Sequence, residues 1–235
     1  MNGTVEILDV YLARIFLALV MLITASVLDV WKRQINDRLW IAFGIVAAIL
    51  VFLEPDIGEI SQRLLVSLII APIAIILWRI GMFGGADSFS LIVLAVLAPQ
   101  ITLTENFITP LTALTNAALL STIILAVNFI RNLIAILNHK DIFAGFVESD
   151  LRKICAMFVG YRSANPKHSF PIERLEGNHK KLDFAIHHAE KAEFCNKQDA
   201  WVTPGIPFIV YITAGFVVQL IFGDIVINSI STIFS

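Results

Sequence analysis

Six apolar runs constrain this chain more than anything else in it. Residues 10–28, 39–53, 64–80, 87–103, 111–137 and 206–222 are dominated by Leu, Ile, Val, Ala and Phe, some reaching span length only with their flanks. A helix needs about 20 apolar residues to cross a bilayer at 1.5 Å per residue. Inside hydrocarbon, every backbone N–H and C=O must find its partner within the protein, which leaves helices as the way for such runs to cross. Composition agrees: 57% of the residues are hydrophobic, 15% are charged, and the mean hydropathy is +0.81. That is the balance of an integral membrane protein. The expected fold is mainly α, a polytopic membrane bundle of six transmembrane helices with a small α+β cytoplasmic insertion. Residues 1–137 would carry spans one to five, 138–203 the insertion, and 204–235 the sixth span and an apolar tail. The first residues, Met1-Asn2-Gly3-Thr4-Val5-Glu6, lack a signal peptide's basic start and cleavage site, so the first run is expected to persist as a helix. A net charge of -2 gives no bulk signal for nucleic acid.

Loop charges orient the bundle. Lys32, Arg33 and Arg38 follow the first run, Arg79 the third, and Lys140, Arg152, Lys153, Arg162 and Lys167 the fifth. The opposite loops are acidic: Glu6 and Asp9, then Glu54, Asp56 and Glu59, then Glu105, then Asp224. Basic loops stay in the cytoplasm. Both termini are therefore expected outside.

The same count brings two costly residues to one membrane face. Asp29 closes the first run and Asp87 opens the fourth, behind Gly84 and Gly85. An ionisable side chain in a membrane span is a functional-site hypothesis by default. Two carboxylates at one depth can share a proton and drive hydrolysis by acid–base chemistry. Each also has a plain structural reading: Asp29 as a polar stop beside Lys32 and Arg33, Asp87 as a helix N-cap. The glycines, lacking Cβ atoms, permit a break in the chain and close approach of a substrate backbone.

The region 138–203 is the one sizeable polar stretch, and too small for a comfortable independent core. Phe143, Phe146, Val147, Leu151, Ile154, Met157 and Phe158 recur at helical spacing, with Gly160 as a stop. Such a helix would lie along the cytoplasmic leaflet or pack as an ordinary core helix. Leu182-Asp183-Phe184-Ala185-Ile186 reads as a strand. Trp201, Pro204 and Pro207 read as the return to the membrane, Trp at the interface and Pro in the first helical turn.

Two motifs then carry a resemblance. Asp29-Val30-Trp31-Lys32-Arg33-Gln34-Ile35-Asn36 and Gly84-Gly85-Ala86-Asp87 resemble the paired motifs of GxGD-type membrane aspartyl proteases, and more closely those of archaeal preflagellin and type IV prepilin peptidases. Ala86 stands where many relatives have Gly, which fits the archaeal form. Trp201-Val202-Thr203-Pro204-Gly205-Ile206-Pro207 resembles the approach to the last span of archaeal preflagellin peptidases, and the resemblance runs essentially the full length. It implies an aspartic endopeptidase without cofactor or metal, with Asp29 and Asp87 catalytic. Gly84, Gly85 and Ala86 would support the motif, and Lys32 and Arg33 would serve as leader or topology contacts. Its partners would be the bilayer and preflagellin or pilin-like precursors, cut where a basic leader meets a hydrophobic helix at the cytoplasmic face. Bacterial prepilin peptidases often add a cysteine-rich segment and a methyl-transfer activity. With only Cys155 and Cys195, the expectation here is peptidase activity alone.

Two rival classes remain. An ion- or proton-coupled transporter would use the two Asp as ligands, but no inverted repeat or matched pair of broken helices is visible. A non-catalytic assembly subunit would tolerate loss of either Asp. Other clusters read as bland. His179, His187, His188 and Cys195 match no zinc spacing, Ser88 and Ser90 lack a histidine partner, and Asp224 reads as a cap near the outer face.

Overall fold

The computed structural model describes residues 2–54, 56–99, 109–177, 179–185 and 192–234, with side chains from residue 10 to residue 230 and at residue 232. Glu105, His187, His188, Ile186 and the outer end of the fourth run lie outside the described residues, as do the side chains of Glu6 and Asp9. The chain divides into two compact units, residues 1–120 with 207–235, and residues 121–206.

The first unit is helical. It holds α1 (Asn2–Lys32), α2 (Arg38–Phe52), α3 (Ile57–Ser67), α4 (Ile70–Arg79), α5 (Gly85–Leu97), α6 (Thr109–Ser121), α9 (Phe208–Phe222) and α10 (Ile225–Phe234). Among the described residues, three segments are long and apolar enough to cross a membrane: Val10–Lys32, Ile57–Arg79 and Thr109–Leu137. The other three expected spans form shorter apolar helices, α2, α5 and α9, of 15, 13 and 15 residues. At 1.5 Å per residue these rise only about 20–22 Å.

α5 is the centre of this unit. Ser88, Ser90, Leu91, Leu94, Ala95 and Leu97 are buried along it, and it packs on α1, α2, α3, α4 and α9. Its neighbours offer small residues inward: Ala18 and Ala25 from α1, Ala47 from α2, Ala74 from α4. Bulky residues such as Phe16, Ile23, Ile41 and Ile45 face outward. Helices in lipid pack this way, because hydrocarbon solvates Leu as well as another helix does and close backbone approach is what holds them. Gly215 of α9 shows the extreme. A Cβ there would fall 2.4 Å from the Ala113 carbonyl oxygen and 2.7 Å from the Ala117 nitrogen.

α4 stops at a Schellman-type end. Gly81 adopts φ 84°, its N–H donates to Trp78 O, and the Met82 N–H donates to Leu77 O. The break expected at the glycine pair is therefore made three residues earlier. Gly84 itself is extended, at φ -76° and ψ 161°, a conformation open to any residue. Asp224 is the N-cap of α10: its Oδ1 accepts from Ile227 N–H, and its Oδ2 accepts from Thr115 Oγ1 at 2.9 Å.

The second unit holds α7 (Ile123–Leu137), α8 (Asp150–Val159) and five short strands. β5 (Ala200–Pro204) is central in a three-stranded antiparallel sheet, between β1 (Tyr161–Ser163) and β2 (Ser169–Pro171). β3 (Glu173–Glu176) and β4 (His179–Leu182) form an antiparallel pair. Trp201 is fully buried. Its Nε1–H donates to Ile142 O at 2.7 Å, and the Phe143 ring stacks on it at 4.9 Å. It is the core of this unit, not the interfacial anchor the sequence suggests.

Three further expectations are corrected here. The helix begins at Asp150, not near Phe143: Gly145 at φ 83° breaks the periodic stretch, and Ser149 is the extended N-cap. Phe143 and Phe146 pack on Trp201 from turns, so their helical spacing is coincidental. Gly160 does end α8, through close approach to β5, since a Cβ would meet Val202 O at 2.3 Å. The strand ends at Leu182, where the Asp183 N–H turns to Ile172 O. Pro207 is the N-cap of α9, one residue before the helix.

Candidate active site

Asp29 lies one turn before the end of α1, half-buried. Asp87 is the third residue of α5 and is 9% exposed. The two come from helices that pack together, and the carboxylates lie close enough to repel one another. This is the one place where the described structure brings two of the sequence's costly acids together.

Local structure explains why Asp87 is tolerated there. Gly84, not Asp87, is the N-cap of α5. Asp87 reaches back one turn, its Oδ2 accepting from the Gly84 N–H at 3.1 Å. It thus answers one of the orphan donors of a helix start and sits at the positive end of the helix dipole. Ile209, buried in the first turn of α9, lies beside the carboxylate. Gly84 has a spatial role beside this carboxylate. A Cβ there would lie 3.5 Å from Asp87 Oδ2, so the missing side chain leaves the oxygen open on that side. Gly85 and Ala86 form the first turn of α5.

Asp29 has a basic neighbour. Arg33 follows the end of α1 at φ 55°, its N–H donating to Asp29 O, and its charge attracts the Asp29 carboxylate. Lys32 is exposed and lines an open groove of about 530 Å³ with Gln34, Ile35, Asn36 and Asp37. The α1–α9 seam just above Asp29 is polar: Ser26 Oγ and Thr213 Oγ1 are 2.7 Å apart, and both reach the Ile209 carbonyl.

The remaining candidates stand apart. Ser88 Oγ donates to Ala74 O and Ser90 Oγ to Asp87 O, so both hydroxyls are spent on backbone carbonyls. His179 is exposed on β4, and Cys195 is buried beside Ala200 and Val202. Among the described residues no group of His, Cys, Asp or Glu is placed to hold a metal ion.

Two features escape the sequence reading. The Ile209 backbone beside Asp87 carries no side-chain signal, although Pro207 before it marks a helix start. Arg14 does carry one, a cation inside an apolar run. It is 3% exposed, pairs with Glu54 at 2.8 Å, and donates to Leu97 O at 2.9 Å and Val96 O at 3.3 Å. It thereby caps the C-terminal end of α5, opposite Asp87.

Fold and site together define a helical membrane protein whose central short helix presents a buried carboxylate to a second one. Comparison with known proteins gives that description a family. Residues 16–145 match the type IV leader peptidase family, and residues 152–225 match the archaeal peptidase A24 C-terminus, type II. The chain belongs to the type IV leader peptidase family, and it is a peptidase. Similar proteins include a preflagellin peptidase of Methanocaldococcus jannaschii, 27% identical over 227 residues, covering 91% of this chain and 95% of that one. A preflagellin peptidase of Methanococcus maripaludis is 27% identical over 218 residues, covering 88% and 94%. Asp29 and Asp87 both fall within the stretch matched to the peptidase family. Nothing in these matches favours the transporter reading.

Proposed function

We propose that this chain is an aspartic endopeptidase that removes the short basic leader from preflagellin or type IV pilin-like precursors at the cytoplasmic membrane face. The observation that carries the proposal is that helix packing brings Asp29, 58 positions away in sequence, within electrostatic reach of Asp87 at the start of the central helix of a leader-peptidase chain. In this reading one carboxylate takes a proton from water as its oxygen attacks the scissile carbonyl carbon. The protonated partner hydrogen-bonds the carbonyl oxygen, then gives its proton to the departing amine as the C–N bond breaks. The pair acts as a unit, so neither Asp is assigned the role of base. Gly84, Gly85 and Ala86 keep the approach to Asp87 open, and Lys32 and Arg33 anchor topology or touch the leader.

The reading extends to the whole chain. Residues 1–137 and 204–235 form a six-crossing bundle with both termini outside, and residues 138–203 form the cytoplasmic insertion. Loop charges support this orientation. The test is cleavage of a preflagellin-like precursor by purified protein. Asp29→Asn and Asp87→Asn should each fall to background while inserting normally, and the double variant should be no worse than either single one. Robust cleavage by either single variant would refute the assignment.

A further inference from the structure

We infer that Arg14 is a positioning residue: resting on the peptidase reading above, it fixes the axial register of α1 against α5 and so sets how Asp29 approaches Asp87. Three observations carry this, all within the first unit. The first is where Arg14 sits. The two helices that hold the aspartates run antiparallel, and Arg14 ties them together at the end away from the carboxylates. Its Nη1 donates to Leu97 O at 2.9 Å and to Val96 O at 3.3 Å, and its Nε donates to Glu54 Oε1 at 2.8 Å. From Arg14 to Asp29, α1 rises about 22 Å, and from Asp87 to Leu97, α5 rises about 15 Å. These are two rods joined at one end that present one carboxylate to the other at the opposite end.

The second observation is what the rest of the seam is made of. Between those ends, α1 gives Ala18, Met21 and Leu22 to the common core, and α5 gives Leu91, Leu94 and Ala95. Apolar contact is non-directional, so a slide of one helix along the other exchanges such contacts for similar ones. The Arg14 fork has no equivalent seat one turn away. Carbonyls earlier in α5 are spent inside the helix, and only those of its last turn are open to an outside donor.

The third is the character of the clamp. Arg14 is buried, and its Nη2 has no hydrogen-bond partner among the described residues. A buried ion pair is a weak source of stability, and one left partly unsatisfied is weaker still; the best-attested use of such groups is to fix register. Register matters for the reaction, since a misplacement of about 1 Å caused far from the reacting atoms can cost on the order of a hundredfold in rate.

The test compares purified wild type with Arg14→Met/Glu54→Leu, Arg14→Lys and Glu54→Gln. Replacing both partners by apolar residues strands no charge, so the paired variant should fold. Arg14→Lys keeps the charge but loses the planar fork that serves Glu54 and the carbonyls together, and it carries the test if the paired variant does not fold. Spin labels at Trp31→Cys on α1 and Val93→Cys on α5, in a background lacking Cys155 and Cys195, read the register without any substrate. Their separation should shift or broaden by about 3 Å, two residues of rise, in the paired variant and in Arg14→Lys. Per folded molecule, kcat for precursor cleavage should fall about tenfold or more in both, with KM little changed, because the reacting groups are displaced and the docking contacts are not. Glu54→Gln leaves the carbonyl bonds in place and should match wild type in both readouts. An unchanged distance would overturn the inference, and so would an unchanged kcat beside a shifted distance. Failure of the wild type itself to cleave would refute the function instead, and the distance alone would then decide the register.

Discussion

At the scale of single residues, the legible ones are those that offend their surroundings. Asp29 and Asp87 can be read from the sequence because a carboxylate is expensive where the neighbours are Val, Leu and Phe. Arg14 offends in the same way, yet topology counting by loops passes over it. Trp201 misleads for the opposite reason: an aromatic flanked by prolines suits an interface and a core equally, and only the fold decides. Gly84 is legible as a glycine but not as to purpose. Its torsions demand nothing, and what it provides is space beside Asp87. Gly84→Ala should therefore retain most of the precursor cleavage, since its Cβ makes an ordinary 3.5 Å contact. Gly84→Val should lose about tenfold or more, because branched γ-carbons displace either the carboxylate or the peptide. Turnover per folded molecule separates the two, and wild-type turnover in Gly84→Val would reduce the glycine to punctuation.

At the scale of elements, hydropathy found the apolar helices, short ones included, and periodicity failed in the polar insertion. The apolar runs of α1, α5 and α9 are too continuous to miss. In the polar insertion, residues 143–149 share the spacing of α8 while belonging to turns, and Gly145 is the residue that gives this away. α5 owes its place to its two ends as much as to its apolar side chains. Asp87 occupies the start and the Arg14 guanidinium holds the last carbonyls, an arrangement that matches the helix dipole at both termini. Arg14→Met should destabilise the bundle by about 3 kcal/mol, since it strands Glu54 and frees two carbonyls. Glu54→Gln should cost less, because the amide oxygen still accepts and Arg14 keeps its carbonyl bonds. Thermal unfolding of the purified protein in detergent ranks the two. Equal losses would mean that the carbonyl bonds contribute little.

At the scale of the molecule, hydropathy marks six apolar segments, of which three make helices of spanning length and three stop at 13 to 15 residues. Part of the shortfall is legible: runs 39–53 and 206–222 are short in the sequence, Glu54 and Pro55 follow α2, and Pro99 pushes Ala98 out of helical torsions at the end of α5. Short helices cross if flanks contribute or if the bilayer thins locally. Six crossings would put the polar insertion and α10 on opposite sides. Single cysteines introduced at Glu176 and Asn228, in a background lacking Cys155 and Cys195, should label from opposite faces of oriented vesicles. Labelling of both from one face would remove the sixth crossing.

The bonds around α1, α5 and α9 also have a mechanical meaning. α1 is joined to α5 through Arg14 and the Leu97 carbonyl, α1 to α9 through Ser26 and Thr213, and α5 to α9 by direct packing near Asp87 and Ile209. Three struts pinned at three joints make a triangulated frame, which resists shear until a joint is cut. Remote substitutions usually add. In a frame they do not: either Arg14→Met or Thr213→Val alone leaves two joints standing, and the pair together turns a truss into a linkage free to rack. The double variant should lose more stability than the two singles combined, although the altered residues serve different helix pairs.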